Sequence, residues 1–66
     1  MIIEMWISST GKKKSVEWDE TLRQYMVFED TGTEIAYCGL YDTIADAEFW
    51  ERDAEDITVT FPDNGA

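Results

Sequence analysis

The sequence YMVFEDTGTEIAYCGLY, residues 25–41, predicts two strands joined by a tight turn, the clearest hairpin signal in the chain. Residues 25–29 are rich in aromatic and β-branched side chains, which favour strands. Residues 30–33 supply a turn that contains Gly32, and residues 34–41 return as the second strand. The alternation places Ile35, Tyr37, Gly39 and Tyr41 on one face of that strand and Ala36, Cys38 and Leu40 on the other.

Two shorter strands are predicted on the N-terminal side of this hairpin. Residues 3–8 and 15–18 both alternate with the period of two that is typical of strands. The segment STGKKKS, residues 9–15, is polar and contains a glycine, so it predicts a hairpin loop with three lysines at a solvated tip. An alternative is that these lysines contact phosphate or the acidic half of a second copy. Residues 19–24 predict a loop or a single helical turn.

Helical periodicity replaces strand alternation after residue 41. Residues 42–56 contain no Gly or Pro, and Asp42 or Thr43 is the expected N-cap. Residues 57–61 alternate again and predict a last strand, and 62–66 predict a short flexible tail. The sequence therefore predicts an α+β fold: a small single-layer antiparallel sheet (β-β-β-β-α-β) packed against one acidic amphipathic helix. We expect one compact domain over residues 1–61, with a tail at 62–66.

The predicted helix has one apolar arc at 100° per residue. We expect this arc to pack on the sheet with Trp50 as its main wedge, whereas Phe49 lies off the arc. The members of the apolar arc are Ile44, Ala47, Trp50, Ala54 and Ile57.

The net charge of −10 is segregated along the chain. Residues 1–28 contain four acidic and four basic side chains, and residues 29–66 contain eleven acidic side chains and one arginine. The first half is therefore neutral and the second half carries the whole −10. Such asymmetry favours a directed interaction surface, although an acidic coat that serves only solubility is the alternative.

The residue inventory argues against catalysis. The chain has no histidine and one cysteine, which excludes Ser-His and Cys-His pairs, an intrachain disulfide and a usual zinc set. Residues 42–53 lack the ligand spacing and the glycine of a calcium loop. We therefore predict a non-enzyme with no cofactor and no metal. A lone thiol without a recognisable signal peptide or membrane segment predicts a cytoplasmic protein.

The main functional hypothesis is an inhibitor or regulator that occupies a basic surface of a nucleic-acid-handling protein. Charge would steer association and an aromatic side chain would anchor it, while charge disfavours direct binding to nucleic acid. In size and charge, and in nothing else, the chain resembles small acidic phage-encoded proteins that block host defence, such as anti-CRISPR proteins and DNA-mimic inhibitors of restriction enzymes. The predicted partner-binding residues are Asp46, Glu48, Phe49, Arg52, Asp53 and Asp56.

The second hypothesis is a structural or accessory module that self-associates or forms a small subunit. A domain of 66 residues is marginally stable alone and gains stability when it pairs a sheet edge or an apolar face with another chain. This hypothesis allows a homodimer or a small subunit of a larger assembly, and the acidic face would serve only solubility.

Overall fold

The protein folds as a five-stranded antiparallel sheet with one short helix, as described by a computed structural model for residues 1–62. The sheet order is β4-β3-β2-β1-β5, so the first four strands form a meander and β5 is added beside β1. The predicted α+β class, with one antiparallel sheet and one helix, and the predicted order of elements are confirmed, whereas the predicted acidic amphipathic character of the helix is not. The elements are β1 Ile2–Ile7, β2 Lys13–Asp19, β3 Gln24–Asp30, β4 Ile35–Tyr41, α1 Ile44–Glu51 and β5 Ile57–Thr60. Of the predicted tail, only Pro62 lies within the described residues.

The turn between β1 and β2 is shorter than the predicted loop. Lys13 and Lys14 belong to β2, where they lie opposite Asp30 and Glu29 of β3. Pairs of opposite charge across neighbouring strands stabilise a sheet, which explains why these lysines extend the strand. Of the three lysines only Lys12 remains in the turn, so the prediction of a three-lysine tip was wrong.

The core lies between the sheet and α1. Trp6, Val16 and Val27 come from adjacent strands and, with Ala47 of the helix, form the buried cluster. The carboxylate of Glu4 is buried in the same layer and accepts a hydrogen bond from the indole Nε1 of Trp6 at 2.6 Å. A core of so few fully buried residues is what a 66-residue chain can form.

A bulge in the β3–β4 pairing changes the predicted faces of β4. The register shifts between Val27 and Phe28, so Tyr37 and Leu40 both lie on the face that carries Phe28. Tyr41 moves to the helix side, where it packs against the core. The strict alternation predicted for residues 34–41 was therefore wrong at its C-terminal end, because one extra residue inverts every following side chain.

The helix is shorter than predicted and rotated about its axis. It spans Ile44–Glu51 rather than 42–56, and Arg52 is already extended. The buried residue is Ala47, whereas Trp50 is 69% exposed, so the predicted wedge was wrong. The stripe towards the sheet follows the spacing i, i+3, i+4, i+7 and consists of Ile44, Ala47, Glu48 and Glu51, two of which are acidic.

The opposite face of the sheet is open within residues 1–62, because α1 packs on one face only. We call this the open face. Six of its apolar side chains are at least one-third exposed: Ile2, Ile35, Tyr37, Leu40, Ile57 and Val59. Met5, Ile7, Met26 and Phe28 lie between them, and the polar residues of the face include Lys13, Ser15 and Glu17 of the central strand β2 and Asp30 of β3. In the part of the chain that the structure describes, no helix is long and apolar enough to cross a membrane.

Candidate interaction surface

Two large aromatic side chains project from the outer side of α1. Phe49 is 75% exposed and Trp50 is 69% exposed. Their rings contact each other edge to face, with centroids 4.9 Å apart and an interplanar angle of 87°. Neighbouring helical residues are 100° apart, so once Ala47 and Glu51 face the sheet both aromatics must point outwards. The pair forms one continuous apolar patch on an otherwise acidic helix.

Carboxylates surround this aromatic pair. Asp46, Asp53 and Glu55 are exposed, and Glu48 is half-buried. None of these four side chains has a hydrogen-bond or ion-pair partner among residues 1–62. Their charge is therefore available to an external group. We call the set Asp46, Phe49, Trp50 and Asp53, with Glu48 and Glu55 at its margin, the acidic–aromatic surface.

The cap of the helix fixes where this surface begins. Thr43 is the N-cap, and its Oγ1 accepts a hydrogen bond from the backbone N–H of Asp46 at 3.1 Å. Asp42, the other predicted cap, instead accepts a hydrogen bond from Gln24 Nε2 at 3.0 Å. The cap places Asp46 in the first turn, where a negative charge is favoured by the helix dipole.

Arg52 and Asp56, which the sequence also predicted as contact residues, are engaged within their own loop. The guanidinium of Arg52 donates to Thr58 Oγ1 at 2.7 Å and to the carbonyl of Asp56 at 2.8 Å. The carboxylate of Asp56 accepts from the backbone N–H of Asp53 at 3.0 Å. These bonds end the helix and turn the chain into β5. Their side chains thereby shape the loop that carries Asp53.

The structure leaves Asp46, Phe49 and Asp53 exposed, and it also exposes Trp50, which sequence reasoning had assigned to the core. Helical periodicity alone could not find the rotation, because the sheet-facing stripe contains Glu48 and Glu51. The sequence feature that could have indicated this rotation is Lys14. Its charged side chain lies on the helix side of β2 and is paired there with the carboxylate of Glu51. Binding of a partner by these residues stays a prediction.

A polar network beneath the helix holds it in this orientation. Lys14 Nζ lies 3.0 Å from Glu51 Oε1 and also donates to the Glu51 carbonyl at 3.2 Å. The hydroxyl of Tyr41 donates to the other oxygen of the same carboxylate. Both side chains of the ion pair are largely shielded, at 24% and 13% exposure, so this contact is stronger than a surface ion pair. It turns the Glu51 side of α1 towards the sheet and the aromatic pair away from it.

The network also shifts ionisation equilibria. The hydrogen bond to Glu51, together with burial, raises the pKa of Tyr41 to about 12. Burial alone would lower the pKa of Lys14, but the hydrogen bond and charge of Glu51 outweigh it and the pKa is raised. Burial raises the pKa of the Cys38 thiol, which keeps it protonated and unreactive at neutral pH. None of these groups is thereby prepared for acid–base or nucleophilic chemistry near pH 7.

A depression of about 240 Å³ lies between the β1–β2 and β3–β4 turns. Its charged side chains lie beside opposite charges, because Lys12 lies 3.7 Å from Glu29 and Lys13 lies opposite Asp30 in the pairing of β2 with β3. Among residues 1–62 there is also no cluster of three or more side chains suited to hold a metal. The lining residues are Thr10, Gly11, Lys12, Lys13, Asp30, Thr31 and Gly32.

No protein-family model, curated protein or solved structure matches this chain.

Proposed function

We propose that this protein is a binding protein that applies its acidic–aromatic surface to a basic surface of a nucleic-acid-handling protein, and so inhibits or regulates it. The observation that carries the proposal is the exposure of Phe49 and Trp50, at 75% and 69%, beside carboxylates that have no partner among residues 1–62. Burial of apolar surface stabilises a small domain, and this domain leaves the surface of two large aromatic side chains exposed to water. Contact with a partner recovers that area.

The chemistry of the surface fits arginine-rich targets. A guanidinium stacks on an aromatic ring and pairs with a carboxylate at the same time. Asp46 lies one helical turn before Phe49 and Trp50, and the exposed Asp53 follows them just after the end of the helix. Interfaces concentrate their binding energy in such aromatic anchors surrounded by polar residues. The net charge of −10 adds long-range attraction, which accelerates encounter with a basic surface.

Nucleic-acid-handling proteins are the proposed partner class because their binding grooves are lined with Lys and Arg that normally neutralise phosphates. Asp46, Glu48, Asp53 and Glu55 place four carboxylates within ten residues of chain. Such a density of negative charge can compete with phosphate for the same cations. Direct binding of nucleic acid is opposed by like charge.

The test is affinity capture from a lysate of the source cells with three immobilised baits. The first bait is the native chain and the second carries Asp46→Asn and Phe49→Ser. The third is a matched control, Glu34→Gln with Leu22→Ser, which removes one exposed carboxylate and one exposed apolar side chain far from α1 in sequence. Both variants have the same net charge, so a difference between them reports the location of the substitution.

We expect the native and control baits to retain a nucleic-acid-binding protein that duplex DNA or salt displaces, and the Asp46→Asn, Phe49→Ser bait to lose it. Retention of the same protein by all three baits would show that the acidic–aromatic surface is not the contact. Failure of the native bait to retain any protein that DNA displaces would remove the basis for the proposed partner class.

A further inference from the structure

The open face of the sheet shows a pattern that the proposed function does not use. Its exposed apolar side chains include Ile35 at 72%, Tyr37 at 57% and Ile57 at 66%. They lie on both edge strands, β4 and β5, while the central strand β2 contributes Lys13, Ser15 and Glu17. We propose that a second copy of this chain packs on the open face, sheet against sheet, to form a two-fold symmetric dimer.

The charges on β2 identify the second copy as the occupant. Lys13 and Glu17 lie on the same face of the central strand with the small Ser15 midway between them. Consider a two-fold axis that lies in the plane of the interface and passes above Ser15, perpendicular to the direction of β2. This axis places each Lys13 over Glu17 of the second copy. Strand β2 is therefore complementary in charge to the β2 strand of the second copy, as an isologous interface requires. Asp30, which lies opposite Lys13 on the same face, comes over Met26 of the second copy.

The same axis also matches the apolar side chains. Strand β1 then lies over β1 of the second copy, with Ile7 above Ile2, and β4 lies over β4, with Ile35 above Leu40. The alternative two-fold axis, parallel to the strands, would place Lys13 over Lys13 and Glu17 over Glu17. Like charges at the centre of an interface strongly oppose association, so the charge pattern selects the first arrangement.

The size of the open face suits a small interface. Five strands spaced by about 4.8 Å, with about five residues each at about 3.3 Å, give a face of about 24 by 17 Å. Two such faces have a combined area of about 800 Å², which lies in the range of weak interfaces. Stacked sheets lie about 10 Å apart, a distance that Lys13 and Glu17 can span.

The dimer would leave the acidic–aromatic surface free. Helix α1 packs on the other face of each sheet, so the two helices lie on opposite outer sides of the assembly. The dimer would then present two identical surfaces and bind two targets, or two sites on one target, at once. The dimer interface shares no residue with the proposed partner surface, so the two proposals fail independently.

The test is sedimentation equilibrium of the native chain and five variants, with folding checked by circular dichroism. Lys13→Glu and Glu17→Lys each create like-charge contacts across the axis, and the double exchange restores opposite charges at the native net charge. Ser15→Arg puts two cations on the axis, and Thr21→Arg adds the same charge in the exposed β2–β3 turn as a control.

We expect a native dimer of twice the 7.6 kDa chain mass. Each single exchange should raise the dimer dissociation constant about tenfold or more, and the double exchange should return it to within about threefold of the native value. Ser15→Arg should be monomeric and Thr21→Arg dimeric. A native chain that stays monomeric at every concentration would overturn the proposal. So would a dimer that Ser15→Arg leaves intact, or a double exchange that is no tighter than the single ones.

Discussion

At the scale of single residues, the three tryptophans lie in three different environments. Trp6 is buried at 1% exposure and donates to the buried Glu4. Trp18 stacks on Tyr25, with ring centroids 4.9 Å apart, and donates to the exposed Glu20. Trp50 is 69% exposed and contacts Phe49. Because the environments differ, substitutions of the same type should have different consequences.

The Trp6–Glu4 hydrogen bond should be the most sensitive polar contact of the core. Replacement of Trp6 by Phe removes the indole N–H and leaves a buried carboxylate without its donor. We expect the free energy of unfolding in urea to fall by about 2–4 kcal/mol. The control is Trp18→Phe, which removes an equivalent bond to the exposed Glu20 at 2.8 Å. Equal losses in the two variants would show that burial of the Glu4 carboxylate does not matter for stability.

The exposed aromatics should contribute little to folding. We expect Phe49→Ser and Trp50→Ser to change the free energy of unfolding by no more than about 0.5 kcal/mol, because surface substitutions remove few contacts. Serine has a helix propensity close to those of Phe and Trp, so the helix itself is not perturbed. Thermal unfolding measures this. A loss above about 2 kcal/mol would mean that the aromatic pair packs in the core.

At the scale of elements, α1 is positioned by a polar contact rather than by its apolar arc. Glu51→Gln removes the charge that faces Lys14 and weakens the bond from Tyr41. We expect the free energy of unfolding to fall by about 1–3 kcal/mol, between the values for exposed and buried ion pairs. Urea denaturation of Glu51→Gln beside Glu55→Gln, an exposed carboxylate, checks this. If the contacts of Glu51 with Lys14 and Tyr41 hold the helix on the sheet, only Glu51→Gln lowers the free energy of unfolding. Equal free energies of unfolding for the two variants would contradict this role.

The same network predicts a loss of stability at alkaline pH. The pKa of Tyr41 rises on folding from 10.0 to about 12, so its contribution is complete below pH 10 and is lost as the pH rises through about 12. The pKa of Lys14 is raised above 10.5, so its contribution also disappears on the alkaline side. We expect the free energy of unfolding to decline above pH 10. Tyr41→Phe should reduce that decline, and an unchanged profile would exclude Tyr41 as its source.

The sequence predicted the elements better than their orientation. The strand-forming side chains of residues 25–29 and the alternation in residues 57–61 are local signals, and β3 and β5 lie there. The prediction of the face on which Tyr41 lies was wrong, because the bulge between Val27 and Phe28 depends on the pairing between strands. The predicted rotation of α1 was wrong, because the contact between Lys14 and Glu51 joins residues 37 positions apart in the chain. Segregation of charge, by contrast, could be counted from the sequence directly.

At the scale of the whole molecule, the fold separates two surfaces. The helix side carries the acidic–aromatic surface, and the other side of the sheet is apolar at its edges and self-complementary in charge along β2. Attraction to a basic partner is screened by salt within about 8–10 Å, whereas contact between apolar sheet faces is not. Salt should therefore weaken partner binding much more than it weakens self-association.

The most direct test of partner binding by the acidic–aromatic surface is the affinity for the captured basic protein at low and at high salt. It compares the native chain with Asp46→Asn/Asp53→Asn and with Phe49→Ser/Trp50→Ser. Loss of the carboxylates should flatten the salt dependence, and loss of the aromatics should weaken binding about tenfold or more at both salt concentrations without changing that dependence. If both variants bind as the native chain does, the acidic–aromatic surface is not the binding surface and the proposed function is wrong.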